Sequence, residues 1–312
     1  MPKQFDHRYF NSLSLNKTTV TKTSQDKTKL KAEYNYYQLS PDIVKPYLVQ
    51  PRNYSETDSS ASYTMDYIPI PDLTYRLIRN QISPEELTEI LSAIYTFISK
   101  CPQKPLSQNA RKELSDNLYL NKVHSRVNKL KLTSEYPQIA TRISALTSYS
   151  SIDEIIEYYD SLYQQITNTH QFPNMAVVSH GDLCFSNIFY NPSTHELKLI
   201  DPKGALSESD LYLDTYYDIA KLSHSICGSY DFFNAGLYNL DNNGKLTINR
   251  DNTFTIDIFK SFLRDHQYDY ALTRLCEASL FLSMLPLHID NPHKVVAFII
   301  NALNILREVE ND

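Results

Sequence analysis

The sequence predicts an α+β protein in which a small, β-rich amino-terminal lobe precedes a larger and mainly helical carboxy-terminal lobe. Two β-prone runs lie early in the chain, at residues 18–23 and 63–68, and helical periodicity dominates from Ser83 onward. A chain of 312 residues, 42% of them hydrophobic, is long enough to form two lobes with a substantial core. We therefore expect the lobes at residues 1–68 and 69–312.

The first β-prone run, residues 18–23, is rich in Thr and contains Val, and both residue types favour strands. Side chains alternate along a strand, so Val20 and Lys22 are expected on the same face. The second run, residues 63–68, ends where prolines interrupt it. The polar residues 53–62 before it are expected to form a turn.

A helix is expected at Lys27–Leu39, with Asp26 as its amino-terminal cap. Glu33 falls on the apolar face of this helix, at the spacing of a single inward stripe. A carboxylate on that face is explained if it pairs with Lys22 of the preceding strand. The alternative is a weak surface pair with Lys29, one turn back.

The rest of the chain carries several helical patterns. Ser83 is a typical helix cap, because proline and two glutamates follow it in the first turn. Further periodic segments lie near residues 107–130, 151–168, 214–226, 256–264, 269–285 and 292–308. None contains the ~18–20 uninterrupted apolar residues that a bilayer crossing needs, so we expect no membrane span.

A short hairpin in the second half of the chain carries the strongest functional signal. Residues 188–190 and 197–200 are β-prone runs around a turn rich in Asn, Pro, Ser and Thr. Antiparallel pairing would bring Asn187 and Asp201 to about 5 Å of each other. Their amide and carboxylate oxygens are ligands of the kind that Mg²⁺ prefers. Asp182, on the loop before the hairpin, is expected to face the same centre as general base for a substrate hydroxyl.

Taken singly, Asp and Asn are common loop residues that bond to their own backbone, but the three together indicate a phosphoryl-transfer centre. His180 is assigned to the same catalytic group as a supporting residue that orients the loop. Pro202 restricts the residue before it, so Asp201 is expected to have an extended backbone.

The order of these residues matches a known arrangement. Asp182, then Asn187, then a hairpin and Asp201 repeat the order of the protein-kinase catalytic loop and its metal aspartate. His-Gly-Asp at residues 180–182 replaces the His-Arg-Asp of protein kinases, and Asp-Pro-Lys-Gly at residues 201–204 replaces their Asp-Phe-Gly. In these departures the chain resembles the aminoglycoside phosphotransferase and choline kinase superfamily.

Two stretches carry a narrower likeness. Residues 177–204 and 280–288 are similar to bacterial phosphotransferases associated with capsule and surface-polysaccharide synthesis. The resemblance implies a bilobal protein-kinase-like fold, ATP and Mg²⁺ as cofactors, and transfer of the γ-phosphate to a hydroxyl of a carbohydrate or polyol. Two alternatives stay open: a choline, ethanolamine or aminoglycoside kinase, and a catalytically silent kinase-like module that binds a partner.

The resemblance also implies a nucleotide site in the amino-terminal lobe. Lys22, oriented by Glu33, would hold the α- and β-phosphates while Val20 covers adenine. Backbone groups from Asp66 to Ile68 would bond the adenine edge. No glycine occurs in the first 180 residues, so a glycine-rich phosphate loop is missing, as it often is in the resembled superfamily.

The charge of the acceptor is open at this point. Lys203, directly after the metal aspartate and its proline, would suit an anionic acceptor such as a sugar acid or a sugar phosphate. Four acidic residues would instead form a rim for a cationic acceptor such as choline or an aminoglycoside: Glu208, Asp210, Asp214 and Asp218. The last two are an i, i+4 pair on an expected helix, and the resemblance gives Asp218 a structural role beneath the catalytic loop.

Composition argues against other classes of protein. A net charge of −6 and an isoelectric point near 5.9 give no attraction to a phosphate backbone, so no nucleic-acid partner is expected. The four cysteines form no Cys-x-x-Cys pair, so neither a zinc site nor a disulfide framework is indicated. The amino terminus carries no apolar signal region, and we expect a cytoplasmic protein without an obligate protein partner.

Overall fold

The computed structural model describes residues 11–16, 18–250 and 253–311. It confirms the expected α+β class, with a small β-rich amino-terminal region followed by a mainly helical part. The first ten residues of the lobe expected at residues 1–68 lie outside the described part of the chain.

The strands and helices have the following bounds in the described residues. The strands are β1 Asn11–Leu15, β2 Thr19–Ser24, β3 Arg52–Glu56, β4 Ala61–Asp66, β5 Gln103–Pro105, β6 Met175–Val178, β7 Ile188–Asn191, β8 Glu196–Leu199, β9 Tyr212–Asp214, β10 Tyr238–Leu240 and β11 Leu246–Ile248. The helices are α1 Lys27–Leu39, α2 Leu73–Leu77, α3 Pro84–Lys100, α4 Gln108–Ser115, α5 Lys122–Lys131, α6 Tyr136–Leu146, α7 Ile152–Thr169, α8 Tyr217–Ile226, α9 Tyr230–Asn234, α10 Phe254–Asp265, α11 Tyr270–Met284 and α12 Pro292–Glu310.

The amino-terminal sheet is antiparallel, with the strand order β1-β2-β4-β3. The prediction of a turn at residues 53–62 is wrong in its first half, because β3 occupies Arg52–Glu56. This strand lies at the sheet edge and is largely exposed, so its sequence lacks the apolar alternation that identifies a half-buried strand. Its polar side chains suit an edge position.

Helix α1 has the bounds and the cap that the sequence predicts. The Asp26 side chain accepts a hydrogen bond from the Lys29 amide at 3.0 Å. The helix also contacts the segment just before Asp182, because the Tyr36 hydroxyl donates to the Ser179 carbonyl at 3.0 Å. α1 therefore joins the amino-terminal sheet to the loop that carries Asp182.

The helical part is built around α11, which is buried along its whole length from Ala271 to Met284. A helix that is buried on all faces occupies the centre of a large core. α12 packs beside it and contributes a second run of buried residues, which includes Val295 and Ile300. Within the described residues, no helix is both long and apolar enough to cross a bilayer.

The expected hairpin is present as β7 and β8, with Ile188 opposite Leu199. At its open end, the Ile200 amide donates to the Asn187 carbonyl at 3.0 Å. The Val49 amide donates to the Leu199 carbonyl at 3.0 Å, which ties the hairpin to the segment after α1. The chain segments that begin and end at the hairpin are thus held side by side.

The helix expected at residues 214–226 begins later than expected. Asp214 ends strand β9, and α8 starts at Tyr217. Asp214 and Asp218 are therefore not an i, i+4 pair on one helix. The sequence suggested one because four-residue spacing of two acids is compatible with a helix but does not require one.

The loop after Asp201 lies against α1 at a point where a side chain has no room. Gly204 has φ +96°, and a Cβ atom there would lie 2.8 Å from the Ala32 carbonyl carbon. The next residue, Ala205, donates its amide to the Ala32 carbonyl at 2.9 Å. Glycine at 204 thus permits direct backbone packing of the loop on the helix.

We expect Gly204→Ala to destabilise the fold by at least about 3 kcal/mol, because it combines an unfavourable φ with a backbone clash. Gly236→Ala is the matched control: its φ is +71°, but a Cβ there meets nothing within 4 Å. We expect this control variant to lose about 1 kcal/mol of stability, which is the cost of the unfavourable φ alone. Urea unfolding of both variants measures the difference, and equal losses would contradict the packing argument.

Candidate active site

The predicted ion pair between Lys22 and Glu33 is present. The Lys22 ammonium lies 2.6 Å from Glu33 Oε2, and both side chains are buried. It also lies 3.0 Å from Asp201 Oδ2, so a single cation bridges carboxylates from α1 and from the end of the hairpin. Lys29, the alternative partner, is exposed and 4.0 Å from Glu33 Oε1. The buried pair is the stronger contact of the two.

Burial and the two carboxylates act in opposite directions on Lys22. Burial lowers its pKa, but Asp201 and Glu33 raise it further than burial lowers it, and the pKa lies above its usual value. Burial raises the pKa of Glu33, Lys22 lowers it and Asp201 raises it, so that this carboxyl also has a pKa above its usual value. The Lys22 ammonium is the cation that both carboxylates share.

The loop that carries Asp182 is held in place by Asp218. Its two carboxylate oxygens accept hydrogen bonds from the backbone amides of His180 and Gly181, each at 2.8 Å. This is the supporting contact that the resemblance implied for Asp218. Gly181 has φ +74°, and a Cβ there would lie 2.6 Å from the Cβ of Lys203. The loop can follow this path only with glycine at position 181.

His180 lies beneath the loop and is fully buried, with its ring at the edge of the Tyr36 ring. Burial lowers its pKa, while Asp218 and Asp182 raise it, and the pKa remains below its usual value. Both ring nitrogens are buried without a hydrogen-bond partner among the described residues, so the supporting role assigned to His180 from the sequence stays a prediction. It is not placed to touch a substrate.

Asp182 and Asn187 are joined directly. The Asn187 amide nitrogen donates to the Asp182 carbonyl oxygen at 2.8 Å and to Asp182 Oδ2 at 3.1 Å. Because its nitrogen is held in this way, Asn187 presents its Oδ1 on the other side of the amide. The loop thus fixes both the carboxylate and the amide before any ligand binds.

Asp201 departs from the backbone geometry that the sequence suggested. Its φ is +54°, in the left-handed region, and the extended conformation expected from Pro202 is wrong. The proline disfavours the right-handed helical region, but it does not by itself select the extended one. A non-glycine residue in the left-handed region costs of order 1–3 kcal/mol, and such residues cluster at functional sites.

The two carboxylate oxygens of Asp201 differ in their contacts: one has a partner in the protein and the other has none among the described residues. Oδ2 contacts Lys22, whereas Oδ1 is buried without a hydrogen-bond partner among the described residues. A buried carboxylate oxygen without a partner is costly unless a ligand completes it. Asp201 Oδ1 and Asn187 Oδ1 are both hard oxygen donors, the type that suits Mg²⁺.

No cluster of three or more His, Cys, Asp or Glu side chains that could hold a metal occurs in the described ranges. A site of one carboxylate and one amide is therefore incomplete as an all-protein metal cage. Mg²⁺ sites of this kind take their remaining ligands from water and from substrate phosphates.

The residues assigned to adenine lie along β2 and after β4. Val20 is half-buried in β2, on the same face as Lys22, and packs with Ile200 against a small apolar cluster. Asp66 ends β4 and pairs with Arg52 through an exposed side chain. Ile68 follows β4, and neither its amide nor its carbonyl has a backbone partner among the residues that the structure describes. Ile68 is thus better placed than Asp66 to offer backbone groups to a ligand.

The four-carboxylate rim considered for a cationic acceptor is not formed. Asp214 is fully buried and accepts from the Tyr119 hydroxyl at 3.1 Å and the Tyr216 amide at 2.8 Å. Asp218 is committed to the catalytic loop, which leaves Glu208 and Asp210 of that set at the surface. The sequence could not separate these residues, because burial is not visible from acid spacing alone.

A family profile named DUF1679, described as "Uncharacterized oxidoreductase dhs-27", matches residues 32–202, which is more than half of the chain. The chain belongs to the DUF1679 family. The word oxidoreductase in this description applies to the protein dhs-27 and is not a finding about this chain. The Gly-x-Gly-x-x-Gly signature of dinucleotide binding does not occur in the sequence of this DUF1679 member.

Solved structures similar to this DUF1679 chain are aminoglycoside phosphotransferases. One is the GDP complex of aminoglycoside 2'-phosphotransferase-IIIa, at 13% identity and a TM-score of 0.53, covering 98% of this chain and 91% of that one. Another is a thermostable mutant of aminoglycoside phosphotransferase APH(4)-Ia with ADP and hygromycin B, at 10% identity and a TM-score of 0.57, covering 96% and 94%. These similarities establish a kinase-like fold. No curated protein sequence matches the chain.

Sequence reasoning missed Lys221 in this DUF1679 protein. Its ammonium lies 2.9 Å from Asp182 Oδ1, so the expected general base has a cation directly beside it. Burial lowers the pKa of Lys221, but Asp182 and Tyr217 raise it, and the pKa lies above its usual value. The available signal was its position three residues after Asp218, which places both on the same side of α8.

We expect Lys22→Met to destabilise this DUF1679 chain by about 3 kcal/mol at pH 8, because it leaves two carboxylates without their shared cation. The loss should be smaller at pH 5. Glu33 already has a raised pKa in the folded protein, and without Lys22 it binds a proton still more tightly, which favours the folded state as the pH falls.

The control for this prediction is Lys29→Met, which removes the exposed and more distant lysine. This variant should lose at most about 0.5 kcal/mol of stability at either pH. Urea unfolding at pH 5 and pH 8 measures all three proteins. If the two variants lost the same stability, the buried pair would not be the dominant contact of Glu33.

Proposed function

We propose that the chain is an ATP-dependent phosphotransferase that transfers the γ-phosphate to a hydroxyl group of a small-molecule acceptor. The observation that carries this proposal is the assembly of Lys22, Glu33 and Asp201 in one ion-pair network, next to the linked pair Asp182 and Asn187. The kinase-like fold supports it. The proposed division is a nucleotide-binding lobe up to residue 68, just after β4 ends, and a catalytic and acceptor-binding lobe from residue 69.

The nucleotide is proposed to contact the face of β2. An ammonium has three donors, and the contacts of Lys22 with Glu33 and Asp201 leave one for the α- and β-phosphates. Val20 would cover adenine, and the backbone of Ile68, next to Asp66, would bond its edge. Glu33 positions the ammonium rather than touching the nucleotide.

Asn187 Oδ1 and Asp201 Oδ1 are proposed to hold Mg²⁺. Bound there, the ion would neutralise negative charge that develops on the phosphates during transfer. The buried, unpartnered Oδ1 of Asp201 supports this assignment. The strained backbone at Asp201 aims that oxygen before the nucleotide arrives.

Asp182 is proposed to accept the proton of the acceptor hydroxyl. As that proton leaves, the hydroxyl oxygen bonds to the γ-phosphorus, and the bond from that phosphorus to the β–γ bridging oxygen breaks to release ADP. Asn187 and Lys221 hold the two oxygens of the carboxylate in place. About a quarter of the Asp182 side chain is exposed, 28%, so a substrate can reach it.

For the acceptor we propose a carbohydrate or polyol, used in surface-polysaccharide synthesis in the cytoplasm. The similarity of residues 177–204 and 280–288 to capsule-associated phosphotransferases supports this choice. The competing choice is an aminoglycoside, choline or ethanolamine. The hygromycin B in the solved APH(4)-Ia complex favours this competing choice. The burial of Asp214 and Asp218, which prevents the four-carboxylate rim, argues against it. Incubation with γ-labelled ATP and a panel of sugars, sugar phosphates, polyols and amino alcohols separates these acceptors, and transfer to none of them would favour a silent module.

We expect Asp182→Asn to lower turnover about a hundredfold or more while Mg-ATP still binds, because the amide cannot accept the hydroxyl proton. Single-turnover transfer from γ-labelled ATP measures the rate, and equilibrium binding of a fluorescent ATP analogue measures the affinity. Asp58→Asn, at an exposed turn, is the control and should behave as the unmodified protein. Full turnover in the Asp182 variant would remove the general-base assignment.

We expect ADP with Mg²⁺ to stabilise the protein against heat, by about 2.7 kcal/mol at a hundred times its Kd. Chelation of the metal with EDTA should abolish most of this protection, and so should Asp201→Asn. Asp265→Asn removes an exposed carboxylate elsewhere and serves as the matched control. Protection that persists in the Asp201 variant would contradict the role of Asp201 as a metal ligand.

A further inference from the structure

A group of lysines gathers on the side of the catalytic loop where an acceptor would lie. Lys221 contacts Asp182 at 2.9 Å, and one turn earlier on the same face of α8 lies Tyr217. The Tyr217 hydroxyl accepts a hydrogen bond from the Lys122 ammonium at 2.8 Å. The set of Lys122, Lys203, Lys221 and Tyr217 is called here the basic cluster.

Backbone structure fixes the positions of these lysines. Lys122 is the first residue of α5 and follows a π-helical segment, Asp116–Asn121, and π segments are frequent at functional sites. The Lys203 amide donates to the His180 carbonyl at 2.9 Å, and its side-chain carbons run past Gly181. Lys203 is thus held alongside the catalytic loop and not on a free surface turn.

The basic cluster has more positive charge than its neighbours compensate. Lys122 and Lys203 have no carboxylate oxygen within 4.0 Å among the described residues, although the chain as a whole has a net charge of −6. One acidic residue close to Lys203 in the sequence is Asp210. Its carboxylate is committed to the amides of Leu206 and Ser207, at 3.0 and 2.9 Å.

The titration of the cluster is consistent with unneutralised cations. Burial raises the pKa of Tyr217, but Lys122 and Lys221 lower it below its usual value. Lys122 and Lys221 thus act on the same hydroxyl group, and an anion beside that hydroxyl would reduce the repulsion between these two like charges.

We propose that the basic cluster binds an anionic group of the acceptor, a phosphate or a carboxylate, while a hydroxyl of the same molecule faces Asp182. This inference rests on the proposed phosphotransferase function. Ammonium groups bind phosphate and carboxylate oxygens as point charges. Because the Tyr217 oxygen accepts from Lys122, its own proton can be donated to the anion. The acceptor is thus an acidic or already phosphorylated carbohydrate or polyol, opposite in charge to an aminoglycoside.

The test uses four probes that share one hexose ring: glucose, glucose 6-phosphate, glucuronate and glucosamine. Binding is measured by calorimetry with Mg-ADP present, so no turnover is needed. We expect glucose 6-phosphate, glucuronate or both to bind at least about tenfold more tightly than glucose, and glucosamine to bind most weakly. Preference for glucosamine, or no advantage of either anion over glucose, would overturn the inference.

Two variants connect the preference to the cluster. Lys122→Met and Lys203→Met should each raise the Kd of the preferred anion about tenfold, with little effect on glucose. Lys260→Met is the matched control, because that lysine also lies over a tyrosine ring, 4.5 Å from the centroid of Tyr270, and makes no contact with the cluster. Thermal unfolding confirms that each variant is folded. An anion Kd that stays unchanged in both cluster variants would contradict the assignment.

Nucleotide binding distinguishes failure of this inference from failure of the proposed function. Binding of a fluorescent ATP analogue with Mg²⁺ depends on Lys22, Asn187 and Asp201, none of which belongs to the basic cluster. If the nucleotide binds and the anions show no preference, the inference alone is wrong. If the nucleotide itself does not bind, the phosphotransferase proposal is wrong and the inference falls with it.

Discussion

The structure depends on one buried ammonium. Lys22 carries it from strand β2 into a site where Glu33 of α1 and Asp201 at the end of the hairpin supply the opposite charges. Charges removed from water are costly unless they are paired, so loss of any one of the three residues would weaken the packing of these three elements. The pairing brings together residues that are up to 179 positions apart in the sequence. It links the sheet, the helix and the catalytic hairpin in one contact.

The remaining functional groups are held by backbone contacts. The Asp218 carboxylate accepts hydrogen bonds from two backbone amides of the loop. The Asn187 side chain donates to both the carbonyl and the carboxylate of Asp182. These contacts are made within the protein and do not require a ligand. Oδ1 of Asp201 has no such partner among the described residues, and Lys122 beside Tyr217 has no carboxylate oxygen within 4.0 Å among them; both lie where a ligand is proposed to bind.

Local signals in the sequence were enough to predict much of this site. The cap and stripe of α1 predicted the helix and the inward carboxylate of Glu33, and a dense turn between two β-prone runs predicted the hairpin. Other features depend on tertiary structure. β3 is a polar edge strand without alternation, the left-handed backbone of Asp201 is imposed by its surroundings, and the burial of Asp214 follows from helices far away in sequence. Lys221 was missed because its spacing from Asp218 places it on the same side of α8 but does not show that it reaches Asp182.

The close approach of Gly204 to Ala32 has a consequence for how α1 can move. With a backbone hydrogen bond and no intervening side chain, α1 and the loop that follows Asp201 are in direct main-chain contact. An outward shift of α1 would have to break this hydrogen bond or carry the loop with it, so the helix and the loop are expected to move together.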